Sequence, residues 1–82
     1  MWYVYILECS DGTLYTGITT DLDKRLKTHN NGTGAKYTKT RLPVAIKASF
    51  EAEDRSSASK EEYRIKQLTR KQKLKLINEQ SN

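Results

Sequence analysis

The chain has 82 residues, of which 15 are Lys or Arg and 10 are Asp or Glu, giving a net charge of +5. It contains no apolar run near the roughly 20 residues that span a bilayer, and its single cysteine, Cys9, excludes an intrachain disulfide and a cysteine-based zinc site. We therefore expect one domain over residues 1–82, in a reducing, cytoplasmic setting and without a membrane partner. The basic balance favours an anionic partner, nucleic acid first.

Two tyrosine-bearing strands begin the chain, and the dipeptide Asp11-Gly12 between them predicts a hairpin. A two-residue loop would place Tyr5 and Tyr15 on opposite faces of the sheet. A three-residue loop with a left-handed Gly12 would place both rings on one face, with Gly17 opposite Tyr5. In that register we expect Gly17 to leave open space beside the Tyr5 ring, which strand packing alone does not require.

A helix is predicted after the hairpin, with Thr20 as its cap and its end near residue 30. Arg25 and His29 are four residues apart and therefore share a face of this helix. A basic, hydroxyl-rich connection that includes Lys36 and Tyr37 follows. We expect this connection to reach a phosphate.

The second half of the chain predicts one strand and two helices. Apolar residues alternate over positions 44–51, which favours a third strand. Asp54 or Ser56 is predicted to cap the next helix, in which Glu62 interrupts an otherwise apolar stripe. A carboxylate that points inward needs a partner. Thr69 opens a capping box for the last helix, so the predicted element order is β-β-α-β-α-α.

Five of these elements, in this order, resemble the GIY-YIG nuclease superfamily, and most closely its small single-domain bacterial YhbQ-like group. The segment Tyr3-Val4-Tyr5 resembles the GIY half-motif, and Tyr15-Thr16-Gly17 resembles the YIG half-motif. The arginine and histidine of the first helix and the later helical Glu62 match as well. Tyr3 and Thr16 depart from the motif letters, and Ile18 stands where some branches place a lysine.

The resemblance implies an α+β fold, with a three-stranded antiparallel sheet flanked by helices and a phosphodiesterase site on one sheet face that uses Mg²⁺ or Mn²⁺. It implies that Tyr15 is a general base or a nucleophile-activating phenol, that Tyr5 positions it or the water, and that Arg25 holds the scissile phosphate. Glu62 would bind the metal, and His29 would assist as a base or phosphate donor. The predicted substrate-binding residues are Gly17, Lys36, Tyr37 and Lys66.

The predicted function is thus a Mg²⁺-dependent DNA endonuclease, with structure-selective cleavage in DNA repair or recombination as the extended hypothesis. One alternative is a non-catalytic, basic nucleic-acid-binding module of the same fold. Another is a protein-interaction domain that uses the apolar side of the last helix, and a protein partner or homodimer stays open. Each site residue also has a structural interpretation, since half-buried tyrosines are common in strands and Glu62 could pair with Arg25 without chemistry.

Overall fold

The computed structural model describes residues 1–81 and has an α+β fold. The strands are β1 (Trp2–Glu8), β2 (Leu14–Thr19) and β3 (Ala45–Ala52), and the helices are α1 (Leu22–Asn30), α2 (Lys36–Lys39), α3 (Arg55–Lys66) and α4 (Arg70–Ser81). The three strands form one antiparallel sheet in the order β2-β1-β3. The predicted fold class is confirmed. Within the part of the chain that the structure describes, no helix is long and apolar enough to cross a membrane.

The register of the β1–β2 hairpin determines which side chains meet on the sheet. Tyr5 pairs with Gly17, and Leu7 pairs with Tyr15. In the connecting loop Gly12 has a φ of +83°, a conformation that glycine adopts without steric cost. The structure therefore has the register of the three-residue loop, in which Tyr5 and Tyr15 lie on the same face.

The central strand β1 is buried on both faces, because alternate side chains enter two different cores. Val4 and Ile6 pack with aliphatic residues of α3 and α4, and we call this side the apolar face. Tyr5 and Leu7 pack with α1 and with the segment before β3, and we call this side the tyrosine face. The two faces therefore divide the helices between them.

Local capping signals begin the two C-terminal helices. Asp54 is the cap of α3, and its Oδ1 accepts a hydrogen bond from Ser57 N at 2.8 Å. Before α4, Gln72 Oε1 accepts from Thr69 N at 2.9 Å and Thr69 Oγ1 accepts from Gln72 N at 3.2 Å. These contacts confirm one of the two predicted caps of α3 and the capping box of α4.

Two predictions about the middle of the chain were wrong. The cap of α1 is Asp21 rather than Thr20, because the Asp21 carboxylate accepts a hydrogen bond from Lys24 N at 3.0 Å. The predicted connection contains the short helix α2, because the Ala35 carbonyl accepts from Thr38 N at 3.1 Å and so closes a helical turn. The element order is accordingly β-β-α-α-β-α-α.

Candidate active site

The hydroxyl of Tyr5 lies at the centre of a buried hydrogen-bond network on the tyrosine face. Tyr5 is 1% exposed, and its Oη lies 3.0 Å from His29 Nε2. Arg25 Nε donates to the same oxygen at 3.3 Å. Burial raises the pKa of Tyr5, Arg25 opposes this effect, and the charges of Tyr15 and Glu62 add to it. Tyr5 therefore keeps its proton at neutral pH and acts as a hydrogen-bonding group.

Gly17 lets the ring of Tyr5 lie across the edge strand β2. A Cβ atom at position 17 would lie 2.6 Å from Tyr5 Cζ, and it would collide with the hydroxyl oxygen as well. The expectation of open space beside the ring is wrong, because the ring itself fills that space. Gly17 is buried, and the absence of a side chain there allows the Tyr5 ring to take its position.

His29 lies behind Tyr5 and is 0% exposed. Its Nδ1 is 2.9 Å from Thr38 Oγ1, so both ring nitrogens have protein partners. Gly34 packs against the ring, where a Cβ atom would lie 2.5 Å from Nδ1. Burial lowers the pKa of His29, and the positive charge of Arg25 lowers it further. His29 is therefore a neutral imidazole that supports Tyr5 from the interior.

Tyr15 lies on the more exposed side of the same network. Its ring centroid is 5.6 Å from that of His29 in an edge-to-face contact, and 5.9 Å from that of Tyr37, on which it stacks. The guanidinium carbon of Arg41 lies 4.1 Å from the Tyr37 ring centroid, and Arg41 Nε pairs with Asp11 Oδ2 at 3.1 Å. These contacts hold the Tyr15 ring between the buried network and solvent.

Arg25 presents free cationic groups next to the tyrosines. Its Nε donates to Tyr5, while its terminal nitrogens have no hydrogen-bond partner among residues 1–81. Arg25 also lines a shallow cleft beside the end of β2, together with Lys24, Thr28 and Asp21. The two cations of this cleft outnumber its one carboxylate, and three threonines also line it, a set of groups that suits an anionic oxygen ligand such as phosphate.

Glu62 approaches this region from α3, on the apolar side of the sheet. The residue is half-buried, and its Oε2 lies 3.6 Å from Lys66 Nζ, which supplies the partner that an inward-pointing carboxylate requires. The negative charge of Glu62 adds to the raised pKa of Tyr5, so the carboxylate lies within electrostatic range of the tyrosine. Within residues 1–81 it makes no hydrogen bond to Tyr5 or Tyr15.

The site offers a single carboxylate to a divalent cation. No group of three or more His, Cys, Asp or Glu residues that could hold a metal occurs in the described part of the chain. Mg²⁺ is commonly held by one or two carboxylates, with waters and substrate phosphates as its other ligands. Glu62 fits this arrangement, since its pair with Lys66 is partly exposed and therefore weak.

Most of the predicted site residues lie together. The predicted catalytic residues that form one contact network are Tyr5, Tyr15, Arg25 and His29. Among the predicted substrate-binding residues, Tyr37 stacks on Tyr15, Lys36 is exposed at the start of α2, and Lys66 pairs with Glu62. These four catalytic candidates thus form a compact network around the tyrosines, and Glu62 is not part of that network.

Two residues of the network were not anticipated from the sequence. Thr38 is buried behind His29, and Arg41 connects the Tyr37 ring to Asp11 across 30 positions of the chain. The signal that could have indicated Thr38 is Gly34, because a glycine between a helix and a hydroxyl-rich segment allows close approach of the backbone. Nothing comparable marks Arg41.

Comparison with known proteins gives a consistent assignment. A family model described as the GIY-YIG catalytic domain matches residues 1–75. The UPF0213 protein YsiG of Lactococcus lactis subsp. lactis is 58% identical over 77 residues, which cover 93% of this chain and 74% of that protein. A UPF0213 protein of Halobacterium salinarum is 53% identical over 73 residues, which cover 89% of this chain and 95% of that protein.

Two solved structures share the fold. The solution NMR structure of the UPF0213 protein BH0048 from Bacillus halodurans has 47% sequence identity and a TM-score of 0.60, covering 95% of this chain and 84% of that one. The solution NMR structure of the protein EF2693 from E. faecalis has 46% identity and a TM-score of 0.62, covering 93% and 81%. These similarities extend over nearly the whole chain, including both tyrosine-bearing strands.

Proposed function

The chain belongs to the GIY-YIG catalytic-domain family, and from this membership we propose that it is a divalent-metal-dependent endonuclease that hydrolyses phosphodiester bonds in DNA. The observation that carries the proposal is the pairing of Arg25 with Tyr5. The hydrogen bond from Arg25 Nε to Tyr5 fixes the guanidinium, and its terminal nitrogens have no hydrogen-bond partner among residues 1–81. A fixed cation next to a phenol suits a reaction in which negative charge develops on a phosphate.

In this proposal each residue of the network has a distinct role. The terminal nitrogens of Arg25 hold two oxygens of the scissile phosphate. Tyr15, after passing its own proton to solvent, accepts a proton from the attacking water. The water oxygen bonds to phosphorus, the bond to the leaving sugar oxygen breaks, and that oxygen takes a proton from solvent. Tyr5 and His29 do not exchange protons with substrate but hold Arg25 in place.

Glu62 is the residue that we propose for metal binding, with Mg²⁺ or Mn²⁺ as the cation. When bound, the cation supplies charge stabilisation at the phosphate and leaving oxygens. Lys66, whose pair with Glu62 is partly exposed and weak, would contact the nucleic-acid backbone. Tyr37 of α2 stacks on Tyr15, and Lys36 precedes it at the start of that helix. We propose that both contact neighbouring nucleotides.

The test is cleavage of end-labelled single-stranded and branched DNA by the purified chain with Mg²⁺ or Mn²⁺, compared with EDTA. We expect metal-dependent cleavage, and a loss of roughly a hundredfold or more in Tyr15→Phe and Glu62→Gln. The matched controls are Tyr63→Phe, at a largely exposed tyrosine of α3, and Glu61→Gln, the neighbouring carboxylate, which pairs with Arg64. Both controls should cleave as well as the parent. Equal cleavage by Glu62→Gln and Glu61→Gln would contradict the assignment.

A non-catalytic nucleic-acid-binding module is the second candidate, and the Glu62–Lys66 pair is the observation that favours it. A carboxylate held by a lysine 3.6 Å away is compatible with a purely structural role. This function requires salt-sensitive DNA binding that is unchanged by EDTA and by Glu62→Gln. Binding of that kind, with no cleavage of any substrate by the parent, would support the module over the enzyme.

A further inference from the structure

We propose that Thr38 is a positioning residue for the cleavage reaction, because its hydroxyl accepts the Nδ1 hydrogen of His29 and so stabilises the tautomer that orients the Tyr5 hydroxyl towards His29 and leaves its oxygen to hold Arg25. The catalytic consequence rests on the proposed endonuclease function. The tautomer is a property of the folded chain, and it is testable without any cleavage.

The hydrogen positions follow from the hydroxyl of Tyr5. This hydroxyl has two partners, Arg25 Nε at 3.3 Å and His29 Nε2 at 3.0 Å. Arg25 Nε carries a hydrogen and cannot accept one. Among residues 1–81, His29 Nε2 is therefore the acceptor that remains for the phenolic hydrogen. Nε2 must then be bare, and a neutral imidazole with a bare Nε2 carries its hydrogen on Nδ1.

Thr38 is the residue that receives this second hydrogen. His29 Nδ1 lies 2.9 Å from Thr38 Oγ1, and Thr38 Oγ1 in turn lies 3.0 Å from the Ala35 carbonyl oxygen. The carbonyl can only accept, so the Thr38 hydroxyl donates to it and accepts from Nδ1–H. The Ala35 N–H lies 3.5 Å from Nδ1, at the outer limit of a hydrogen bond, and it loses this long contact in the Nδ1–H form. Ala35 is only half-buried, so water can accept from its N–H instead. The side-chain hydrogens of Tyr5, His29 and Thr38 then all have acceptors.

The opposite tautomer leaves a buried donor without a partner. With the hydrogen on Nε2, both His29 and Arg25 would donate to the Tyr5 oxygen, and the phenolic hydrogen would have no acceptor among residues 1–81. Tyr5 is 1% exposed, so water cannot readily replace the missing acceptor. An unpaired buried donor is disfavoured by its full desolvation penalty. The geometry therefore selects the Nδ1–H form.

The site thus contains a chain of hydrogen bonds in which each donor points away from Arg25 and towards the Ala35 carbonyl. Thr38 fixes His29, His29 fixes the direction of the Tyr5 hydroxyl, and the Tyr5 oxygen keeps its lone pair directed at Arg25 Nε. If the Tyr5 hydroxyl turned, its hydrogen would face the N–H of Arg25, and the guanidinium would lose its anchor. Thr38 thus acts on the phosphate-binding group through two intermediates, without touching substrate itself.

The primary experiment measures the imidazole nitrogens by ¹⁵N NMR. His29 is the only histidine in the sequence, so its ring gives one set of signals. We expect a protonated, pyrrole-type Nδ1 and an unprotonated, pyridine-type Nε2 in the parent. Thr38→Val keeps the shape of the side chain but removes the hydroxyl, and it should shift the population towards Nε2–H. Thr38→Ser keeps the hydroxyl and should retain the parent spectrum.

The second measurement is cleavage by the same variants. Thr38→Val should lower kcat roughly tenfold with little change in KM, as is usual for loss of a residue that orients a site group, and Thr38→Ser should stay close to the parent. A parent spectrum with the hydrogen on Nε2 overturns the proposal, and it needs no variant to fold. An unchanged tautomer in folded Thr38→Val overturns it too. If the parent cleaves nothing, the endonuclease function and the positioning role fail together, while the tautomer assignment stands on its spectrum.

Discussion

The two faces of β1 are equally buried but differ in what their side chains bind. On the apolar face, Val4 and Ile6 contact aliphatic residues of the C-terminal helices, and packing is their whole contribution. On the tyrosine face, Tyr5 is just as inaccessible, yet its hydroxyl binds His29 and Arg25. Burial therefore does not distinguish core from site in this fold. The hydrogen bonds that a buried residue makes do distinguish them, and substitutions on the two faces should have different consequences.

The largest effect on stability is expected on the apolar face. Ile65 is fully buried against β1, so Ile65→Ala should lower the free energy of unfolding by about 3 kcal/mol, through lost burial and the cavity left behind. Ile65→Val should cost about 1 kcal/mol. Urea denaturation measures both values. Cleavage per folded molecule should match the parent in Ile65→Val, and a clear loss of cleavage in that variant would show that the faces are not separable.

Gly17→Ala is the corresponding test on the tyrosine face. The new methyl group would collide with the ring of Tyr5, which is held by His29 and cannot move without losing that hydrogen bond. We expect a loss of about 2 kcal/mol in the free energy of unfolding, as for other overpacked sites. Unlike Ile65→Val, this variant should also lose cleavage in the fraction that stays folded.

A double-mutant cycle identifies the clash as the cause. Tyr5→Leu removes the ring atoms that lie nearest to position 17. If the clash is responsible, Gly17→Ala should cost clearly less in the Tyr5→Leu background than in the parent. Equal costs in the two backgrounds would mean that Gly17 is needed for its backbone freedom and not for the ring of Tyr5.

The parts of the fold that could be predicted from the sequence depend on local chemistry. Asp11-Gly12 predicted the hairpin and limited its register to two alternatives, of which the structure has the three-residue loop. Asp54, one of two predicted caps, and Thr69 begin the last two helices. These signals involve residues a few positions apart, whose preferences act before the chain is folded. The cap of α1 was placed one residue early, because Thr20 and Asp21 are both good caps and only the folded turn decides between them.

The parts of the site that could not be predicted depend on contacts between elements. Because strand pairing is regular, the sequence predicts that Tyr5 and Tyr15 share a face if the loop has three residues, and regular helix spacing places Arg25 and His29 on one face. Thr38 lies on a four-residue helix whose N-cap makes no side-chain hydrogen bond, so the sequence offers no capping signal for this helix. Gly34 allows a close approach of the backbone, but it does not identify Thr38 as the residue that binds His29. The partnership of Thr38 with His29 appears only when α2 packs against α1.

The pH dependence of stability should report on the tyrosine face alone. Burial, followed by the charge of Arg25, lowers the pKa of His29 in the folded state, while the unfolded chain has a pKa near about 6.5. Below about pH 6.5 the unfolded state binds more protons than the folded state. The contribution of neutral His29 to the free energy of unfolding is therefore fully present above about pH 6.5 and falls as the pH decreases towards the folded-state pKa. The slope can reach about 1.4 kcal/mol per pH unit, the value for one proton.

Urea denaturation between pH 7.5 and pH 5 measures this slope, and His29→Gln should remove most of it. Ile65→Val, on the apolar face, should lower the whole curve without changing its slope. A parent curve that is flat over this range would contradict a neutral, buried His29.

The smallest effects should come from the helix caps, and they form a matched pair across the sheet. Asp21 caps α1 on the tyrosine face, and Asp54 caps α3 on the apolar face, each by accepting one backbone hydrogen bond. Asp21→Ala and Asp54→Ala should therefore lower Tm by a similar few degrees.

The two cap variants should differ in DNA binding, because Asp21 lies in the cleft with Lys24 and Arg25, where its negative charge opposes an anionic ligand. Fluorescence anisotropy at low salt should show tighter binding for Asp21→Ala and unchanged binding for Asp54→Ala. Identical affinities would mean that the nucleic acid does not pass through this cleft, and that Arg25 contacts phosphate only from the side of Tyr15.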